Sequence, residues 1–128
     1  MSLSPVLTSM PGIGIRTAAR ILVDVGDAST FPTAGHLVAY AGLAPVTRAS
    51  GSSIPGEHPS RRGNKQLKRA FYLAAFASLS QPESRAYYDR KRREGKHHVA
   101  ALARRRIDVL FAMLRDGTLY QPPTAVTG

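Results

Sequence analysis

The chain has 128 residues and a strong excess of positive charge, with 18 lysines and arginines against 8 acidic residues and a net charge of +10. This length fits one domain with a buried core, and the charge indicates a polyanionic partner, above all nucleic acid. The sequence has no cysteine, which excludes disulfides, thiolate metal sites and thiol nucleophiles. No apolar run reaches the length of a membrane span and no signal peptide is recognisable. We therefore expect no membrane partner and a cytoplasmic location.

The positive charge is concentrated in the second half of the chain. Residues 60–106 hold 14 basic side chains against three acidic ones, whereas residues 1–42 hold two of each. We expect the binding surface to lie in the basic half.

Helical signals dominate the first third of the chain. A short helix over about residues 5–10 is followed by Pro11-Gly12-Ile13-Gly14, and a second helix then runs to Gly26. The apolar stripe predicted for the second helix is Ile15, Ala18, Ala19, Leu22 and Val25. A third helix follows Phe31-Pro32, with Thr30 or Thr33 as its cap, and ends at Gly42.

Residues 42–60 show no periodicity and are predicted to form a long polar loop. Helices are then predicted over about residues 64–79, from Pro82 to near Gly95, and over about residues 96–115, with Gly117 as the last cap. Strand signals are nearly absent. The sequence therefore predicts one compact, multi-helix, all-α domain over residues 4–117, and residues 118–128 are predicted to be a disordered tail.

Arg106 stands apart from the other arginines of the last predicted helix. At helical spacing it falls among the apolar positions, whereas Arg104 and Arg105 fall on the outer face. A buried guanidinium needs a partner. We predict that Arg106 contacts a carboxylate or helix-end carbonyls, unless it reaches the edge of the core.

Pro11-Gly12-Ile13-Gly14 between two short helices resembles the helix-hairpin-helix motif of sequence-independent DNA-binding proteins. Its glycines allow close approach of the backbone to a phosphate, and Gly12, Ile13, Gly14 and Arg16 are the candidate binding residues. The alternative is a glycine turn that only lets two helices pack closely.

The polar loop carries several serines, of which Ser50 is one. A serine hydroxyl attacks a phosphate only when a base or a positive field activates it. Six basic residues lie close enough in sequence to supply that field: Arg48, Arg61, Arg62, Lys65, Lys68 and Arg69. Composition alone favours a polar linker and does not select one serine.

Six separated motifs together resemble one known family. They are Met10-Pro11-Gly12-Ile13-Gly14, Gly26-Asp27 with Phe31-Pro32, Tyr40-Ala41-Gly42-Leu43-Ala44-Pro45, Ser50-Gly51, Arg61-Arg62-Gly63-Asn64 and Leu114-Arg115-Asp116-Gly117. In this order they are similar to the C-terminal transposase domain of the insertion-sequence-110 type, also called the 116/902 type.

The resemblance implies a function for the loop. In that family a serine of the Ser-Gly step attacks a DNA phosphate, and the matching residue here is Ser50. It also implies a missing RuvC-like nuclease domain of the same full-length protein, which would hold a divalent metal, expected to be magnesium. DNA and a structured guide RNA, the bridge RNA, are the implied partners, in a bacterial, nucleoid-associated homo-oligomer.

The loop departs from the family pattern in one respect, because Gly51 to Ser60 contain no basic residue and one acid, Glu57. Charge beside Ser50 would then come from Arg48 and from Arg61 onward. We expect a serine-bearing transposase or recombinase domain that is inactive alone. The alternatives are a non-catalytic helix-hairpin-helix module and a basic face that serves only assembly around RNA.

Overall fold

The computed structural model describes residues 3–44, 64–95 and 98–122, and in these ranges every regular element is helical. The prediction of an all-α domain is confirmed. The elements are α1 (Ser4–Thr8), α2 (Ile15–Val25), α3 (Ala34–Tyr40), α4 (Lys65–Ala77), a single 3-10 turn (Ser78–Ser80), α5 (Pro82–Arg93) and α6 (His98–Asp116). None of these helices is long and apolar enough to cross a bilayer.

Several helices begin or end at the capping, proline or glycine residues that the sequence predicts. Thr33 is the N-cap of α3, and its hydroxyl accepts a hydrogen bond from the backbone N–H of His36 at 3.3 Å. Pro82 occupies the first turn of α5, where its missing N–H costs nothing. After α6, Gly117 has a φ of 67° and the N–H of Thr118 bonds to the carbonyl of Met113. This 6→1 bond is the hallmark of a Schellman cap.

Helix α6 is the centre of the domain. It packs against α1, α3, α4 and α5, and α2 packs against both α1 and α4. Five side chains at these contacts are completely buried, and burying a leucine or isoleucine contributes about 1.5–3 kcal/mol each. They are Leu7, Ile21, Leu37, Leu67 and Ile107.

The rotation of α2 differs from the prediction. Ile15 is 79% exposed and Ala19 is also exposed, whereas Ile21 is fully buried. The buried stripe is Ala18, Ile21 and Val25, at spacings of three and four residues. Both stripes satisfy helical periodicity, and the packing of α2 against α1 and α4 selects between them.

The segment after α6 contacts the body of the domain as far as it is described. The backbone N–H of Tyr120 donates to Ser9 Oγ at 2.8 Å, and its hydroxyl donates to Glu83 Oε1 at 2.5 Å. The segment predicted as a tail from residue 118 therefore includes a residue that is tied to α5 and to the end of α1. Residues 123–128 lie outside the described residues.

Candidate nucleic-acid interface

The predicted nucleophile lies outside the described residues, but the chain on both sides of it is described. Ser50, Arg48, Arg61 and Arg62 all fall within residues 45–63, which the structure does not describe. On one side, the carbonyl of Leu43 accepts a hydrogen bond from Arg104 Nη1 at 3.1 Å. On the other, the N–H of Asn64 donates to the carbonyl of Tyr40 at 2.8 Å. The serine-bearing segment therefore leaves and re-enters the domain at the C-terminal end of α3.

A groove of about 760 Å³ opens where this segment leaves the domain. Its lining includes Ala44, the last described residue before the segment. We call it the loop-end groove and define it by Ala44, Tyr87, Lys91, Arg104, Arg105 and Asp108. Three cations against one carboxylate make it a basic groove, and such a groove attracts phosphate.

Tyr87 of α5 lies on the wall of this groove with three cations around its ring. The guanidinium carbon of Arg105 is 4.6 Å from the ring centroid, that of Arg90 is 5.2 Å away and Lys91 Nζ is 5.4 Å away. Each contact is favourable because the ring face is negative. The three cations repel one another, and the Glu94 carboxylate forms ion pairs with two of them, at 3.9 Å from Arg90 Nε and 3.3 Å from Lys91 Nζ.

The basic residues of α4 begin where the serine-bearing segment ends. Asn64 caps the helix, and its Oδ1 accepts a hydrogen bond from the N–H of Leu67 at 3.0 Å. Lys65 and Arg69 are exposed, and Lys68 Nζ lies 5.8 Å from the ring centroid of Tyr72. The N-terminus of a helix also carries positive partial charge. This end of α4 therefore adds to the positive field at the return of the segment.

Some residues of the hairpin, which we define as residues 9–14 between α1 and α2, pack inside the domain. Gly12 has a φ of +92°, and a Cβ on it would lie 2.3 Å from the carbonyl oxygen of Ala74. Ile13 is buried in the core. Gly14 and Arg16 are exposed. Of the four predicted hairpin residues, two are explained by contacts within the domain and two remain accessible to a ligand.

The predicted binding residues that the structure describes do not form one cluster. The hairpin packs on α4 at Ala74 and on the adjoining Ser78, whereas Lys65, Lys68 and Arg69 lie at the other end of α4. At 1.5 Å per residue, Lys65 and Ala74 are separated by about 13 Å along the helix axis. Of these two groups, the one at the lysine-rich end of α4 directly follows segment 45–63 in the chain.

Arg106 is buried, as predicted, and is only 8% exposed. Its Nη2 donates to the carbonyl of Pro11, so it connects α6 to the hairpin. Burial lowers the pKa of its guanidinium to about 10, and the nearby Tyr120 and Glu83 oppose that shift. The prediction named a carboxylate or helix-end carbonyls as the partner, and the partner is instead the Pro11 carbonyl of the turn between α1 and α2. Its function here is structural.

The prediction from sequence missed the groove residues as a set. Lys91, Arg104 and Arg105 belong to two helices, and no sequence spacing brings them to one surface. Tyr87 packs against the core and also lines the groove. The only available signal was the concentration of basic residues between 60 and 106.

No three His, Asp or Glu side chains in residues 3–44, 64–95 and 98–122 lie close enough to hold a metal ion. The part of the chain that the structure describes thus offers no donor set for a divalent cation. The prediction assigned the metal to a domain outside this chain.

Comparison with known proteins gives consistent matches. The profile of a family described as "Transposase IS116/IS110/IS902 family" matches residues 4–89. An uncharacterised 43.6 kDa protein of insertion element IS110 from Streptomyces coelicolor is 65% identical over 123 residues, covering 93% of this chain and 30% of that protein. The pilin gene-inverting protein of Moraxella bovis is 34% identical over 116 residues, covering 86% of this chain and 36% of that protein. This chain spans about a third of the length of these relatives.

Proposed function

This chain belongs to the Transposase IS116/IS110/IS902 family, and from that premise we propose that it is the serine-bearing half of an enzyme that cuts and rejoins DNA strands. The nucleophile is Ser50. The observation that carries the proposal is the position of the two described flanks of segment 45–63: Ala44 lines the basic loop-end groove, and Asn64 begins the lysine-rich start of α4.

The proposed reaction is a transesterification at a DNA phosphate. Ser50 Oγ forms a bond to phosphorus, one bridging P–O bond to a deoxyribose breaks, and the departing deoxyribose oxygen takes up a proton as Ser50 loses one. A phosphoserine ester replaces a phosphodiester, so the step needs no oxidant, reductant or nucleotide. Attack by another deoxyribose hydroxyl on the phosphoserine rejoins a strand and restores the serine.

The chain's own cations supply the electrostatic part of this step. Charge accumulates on the non-bridging oxygens of the attacked phosphate, and fixed positive groups stabilise it. Lys65, Lys68 and Arg104 are placed at the two flanks of the serine-bearing segment. We propose that they hold the DNA backbone there, together with Arg48, Arg61 and Arg62 from the segment itself. Gly14 and Arg16 of the hairpin would hold a second stretch of backbone.

The remaining two-thirds of the relatives' length has no counterpart in this chain. We propose that it includes the RuvC-like domain, with a magnesium site of its own, and that the full-length protein works as a homo-oligomer guided by a structured RNA. A divalent metal supplies activation of a phosphate or of an attacking oxygen when bound. Every step proposed above for this chain uses its own serine and cations.

The test replaces Ser50 in a full-length protein that carries this domain. Ser50→Ala should abolish the covalent protein–DNA adduct, visible as a labelled band on a denaturing gel, and should abolish recombination. Binding of DNA, measured by a mobility shift, should persist. Ser52→Ala, which changes a neighbouring hydroxyl of the same loop, serves as the matched control and should retain the adduct.

The second candidate function is a non-catalytic nucleic-acid-binding module, and the exposed Gly14 and Arg16 on the hairpin favour it. The Ser50→Ala experiment separates the two candidates. Undiminished adduct and recombination in that variant would exclude Ser50 as the nucleophile and leave binding as the function of this domain.

A further inference from the structure

A second groove lies between α5 and α6, and Tyr87 lines both this groove and the loop-end groove. Its volume is about 590 Å³. We call it the Tyr120 groove and define it by Met10, Glu83, Tyr87, Arg93, Val109 and Tyr120. Neither the family match nor the predicted binding residues assign it a function.

The two ends of the Tyr120 groove differ in chemistry. Glu83 lies at the start of α5 and Arg93 at its end, so the wall along α5 extends about 15 Å. One end carries Glu83 and the hydroxyl of Tyr120. The other carries Arg90 and Arg93. The groove is therefore polar-aromatic at one end and cationic at the other.

The aromatic end of the groove is built and held in place. Met10 forms part of the lining and is buried in the core. Tyr120 is fixed at its backbone by Ser9 and at its hydroxyl by Glu83, at 2.8 and 2.5 Å. Arg106, which also lines the groove, is largely buried and bonds to the carbonyl of Pro11. A ligand at this end meets an ordered apolar and aromatic surface.

We propose that the Tyr120 groove binds one unpaired nucleotide of a nucleic-acid strand, with its base at the Tyr120 end and its phosphate at Arg90 and Arg93. The proposal rests on the proposed function only in that the partner is nucleic acid. A base has an apolar π-face with polar edges, and its phosphate is anionic, so the two ends of the groove match the two ends of a nucleotide. A paired base inside a duplex cannot enter a pocket of this kind without leaving the stack.

One contact between an aromatic residue and an acid, that of Tyr120 with Glu83, sets the selectivity of the pocket. The Glu83 carboxylate accepts the hydroxyl proton of Tyr120, so both groups stand beside the edge of an inserted base. The groups that contact the backbone are arginines, which bind the phosphates of DNA and RNA alike. The shared ligand is therefore an unpaired nucleotide in a strand, and the experiment separates the two sources.

The test measures binding of the 128-residue chain to fluorescent oligonucleotides by anisotropy. The variant Val109→Phe fills the aromatic end of the groove without changing charge, and Val109 is already 40% exposed. We expect it to bind a single strand about tenfold more weakly than the wild type, the scale of losing one stacked base. Binding to the matched duplex should stay unchanged. Val23→Phe makes the same substitution at an exposed position on α2 and should leave both affinities unchanged.

A strand with abasic positions provides the second arm. The wild type should bind it more weakly than the intact strand, and Val109→Phe should bind both equally. Arg93→Gln should weaken binding to the intact strand more than Arg92→Gln, which changes the neighbouring arginine outside the groove. DNA and RNA versions of the intact strand, compared side by side, identify the source of the nucleotide.

Equal binding of intact and abasic strands by the wild type would overturn the proposal. So would equal effects of Val109→Phe and Val23→Phe. The measurement is equilibrium binding without strand cleavage, so its failure leaves the chemistry of Ser50 untouched. Conversely, a covalent adduct that persists in Ser50→Ala would contradict the role of Ser50 but would not bear on nucleotide binding in the Tyr120 groove.

Discussion

The hairpin between α1 and α2 and the face formed by α5 and α6 differ in how much of each remains open to a ligand. In the hairpin, Gly12 lies against the backbone of α4 and Ile13 is in the core. On the α5–α6 face, Tyr87 carries three cations around its ring and separates two open grooves. A glycine motif that resembles a phosphate-binding turn is thus largely explained by packing.

This difference shows what a local sequence motif and a set of dispersed residues can each predict about a binding site. A glycine between two helices is compatible with a ligand and also with close packing, and only the neighbour of its missing side chain decides between them. Arginines scattered over two helices carry no motif at all. They form a site because α5 and α6 pack side by side and bring Lys91 and Arg105 to one groove.

The largest expected effect is on the hairpin. Gly12→Ala forces a side chain into a left-handed backbone and into the carbonyl of Ala74. We expect it to lower the free energy of unfolding by about 3 kcal/mol. Urea denaturation followed by circular dichroism measures the loss.

Gly14→Ala is the matched control, because Gly14 has a φ of −90° and open space around it. We expect Gly14→Ala to lower the free energy of unfolding by less than about 1 kcal/mol, which is the cost of placing alanine at a helix N-cap. If the two variants lose similar free energies of unfolding, the close contact with α4 is not the reason that position 12 requires glycine.

The next largest expected effect is on nucleic-acid binding, and it differs between the α5–α6 face and the hairpin. Arg105→Gln removes a cation shared by both grooves, so it should weaken binding and reduce the slope of log affinity against log salt by about one. Arg16→Gln, at the hairpin, should reduce the slope by less. Binding isotherms at several salt concentrations provide both values.

Arg115→Gln, an exposed arginine of α6 outside both grooves, is the charge-matched control. If Arg16→Gln lowers the salt slope more than Arg105→Gln does, the principal phosphate site is the hairpin end of α2 and not the α5–α6 face.

The smallest effect concerns Tyr120, whose pKa is raised to about 12 from 10.0 by burial and by its hydrogen bond to Glu83. Because the folded pKa exceeds the unfolded one, its contribution to stability is complete below pH 10 and is lost as the pH rises towards 12. A phenolate absorbance titration should show one late-titrating tyrosine that Tyr120→Phe removes. An unchanged late transition in that variant would place the shifted group elsewhere.

Most of the fold was predictable because its signals are local. Proline at the start of α5, Thr33 at the start of α3 and Gly117 after α6 mark helix ends through their own backbone chemistry. Arg106 was predictable for a related reason. A charged residue in an apolar stripe must find a partner, whatever the rest of the fold.

The rotation of α2 and the position of the grooves were not predictable, since both depend on contacts between helices. Ile15 and Ile21 satisfy helical periodicity equally well, and the packing of α2 against α1 and α4 leaves Ile21 buried and Ile15 exposed. The Tyr120 groove needs α5, α6 and the segment after α6 together. The sequence spacing of Glu83, Val109 and Tyr120 does not predict that these residues line the same groove.

The two anchors of the segment 45–63 carry a consequence for how the family can diversify. Arg104 holds one flank through Leu43 and Tyr40 holds the other through Asn64, so the core fixes both ends of the segment at one place. Closing a loop between fixed ends costs only about 0.6 kcal/mol of chain entropy per doubling of its length. Serine-bearing segments of different lengths can therefore be grafted between Ala44 and Asn64 while the helices beneath keep the same packing.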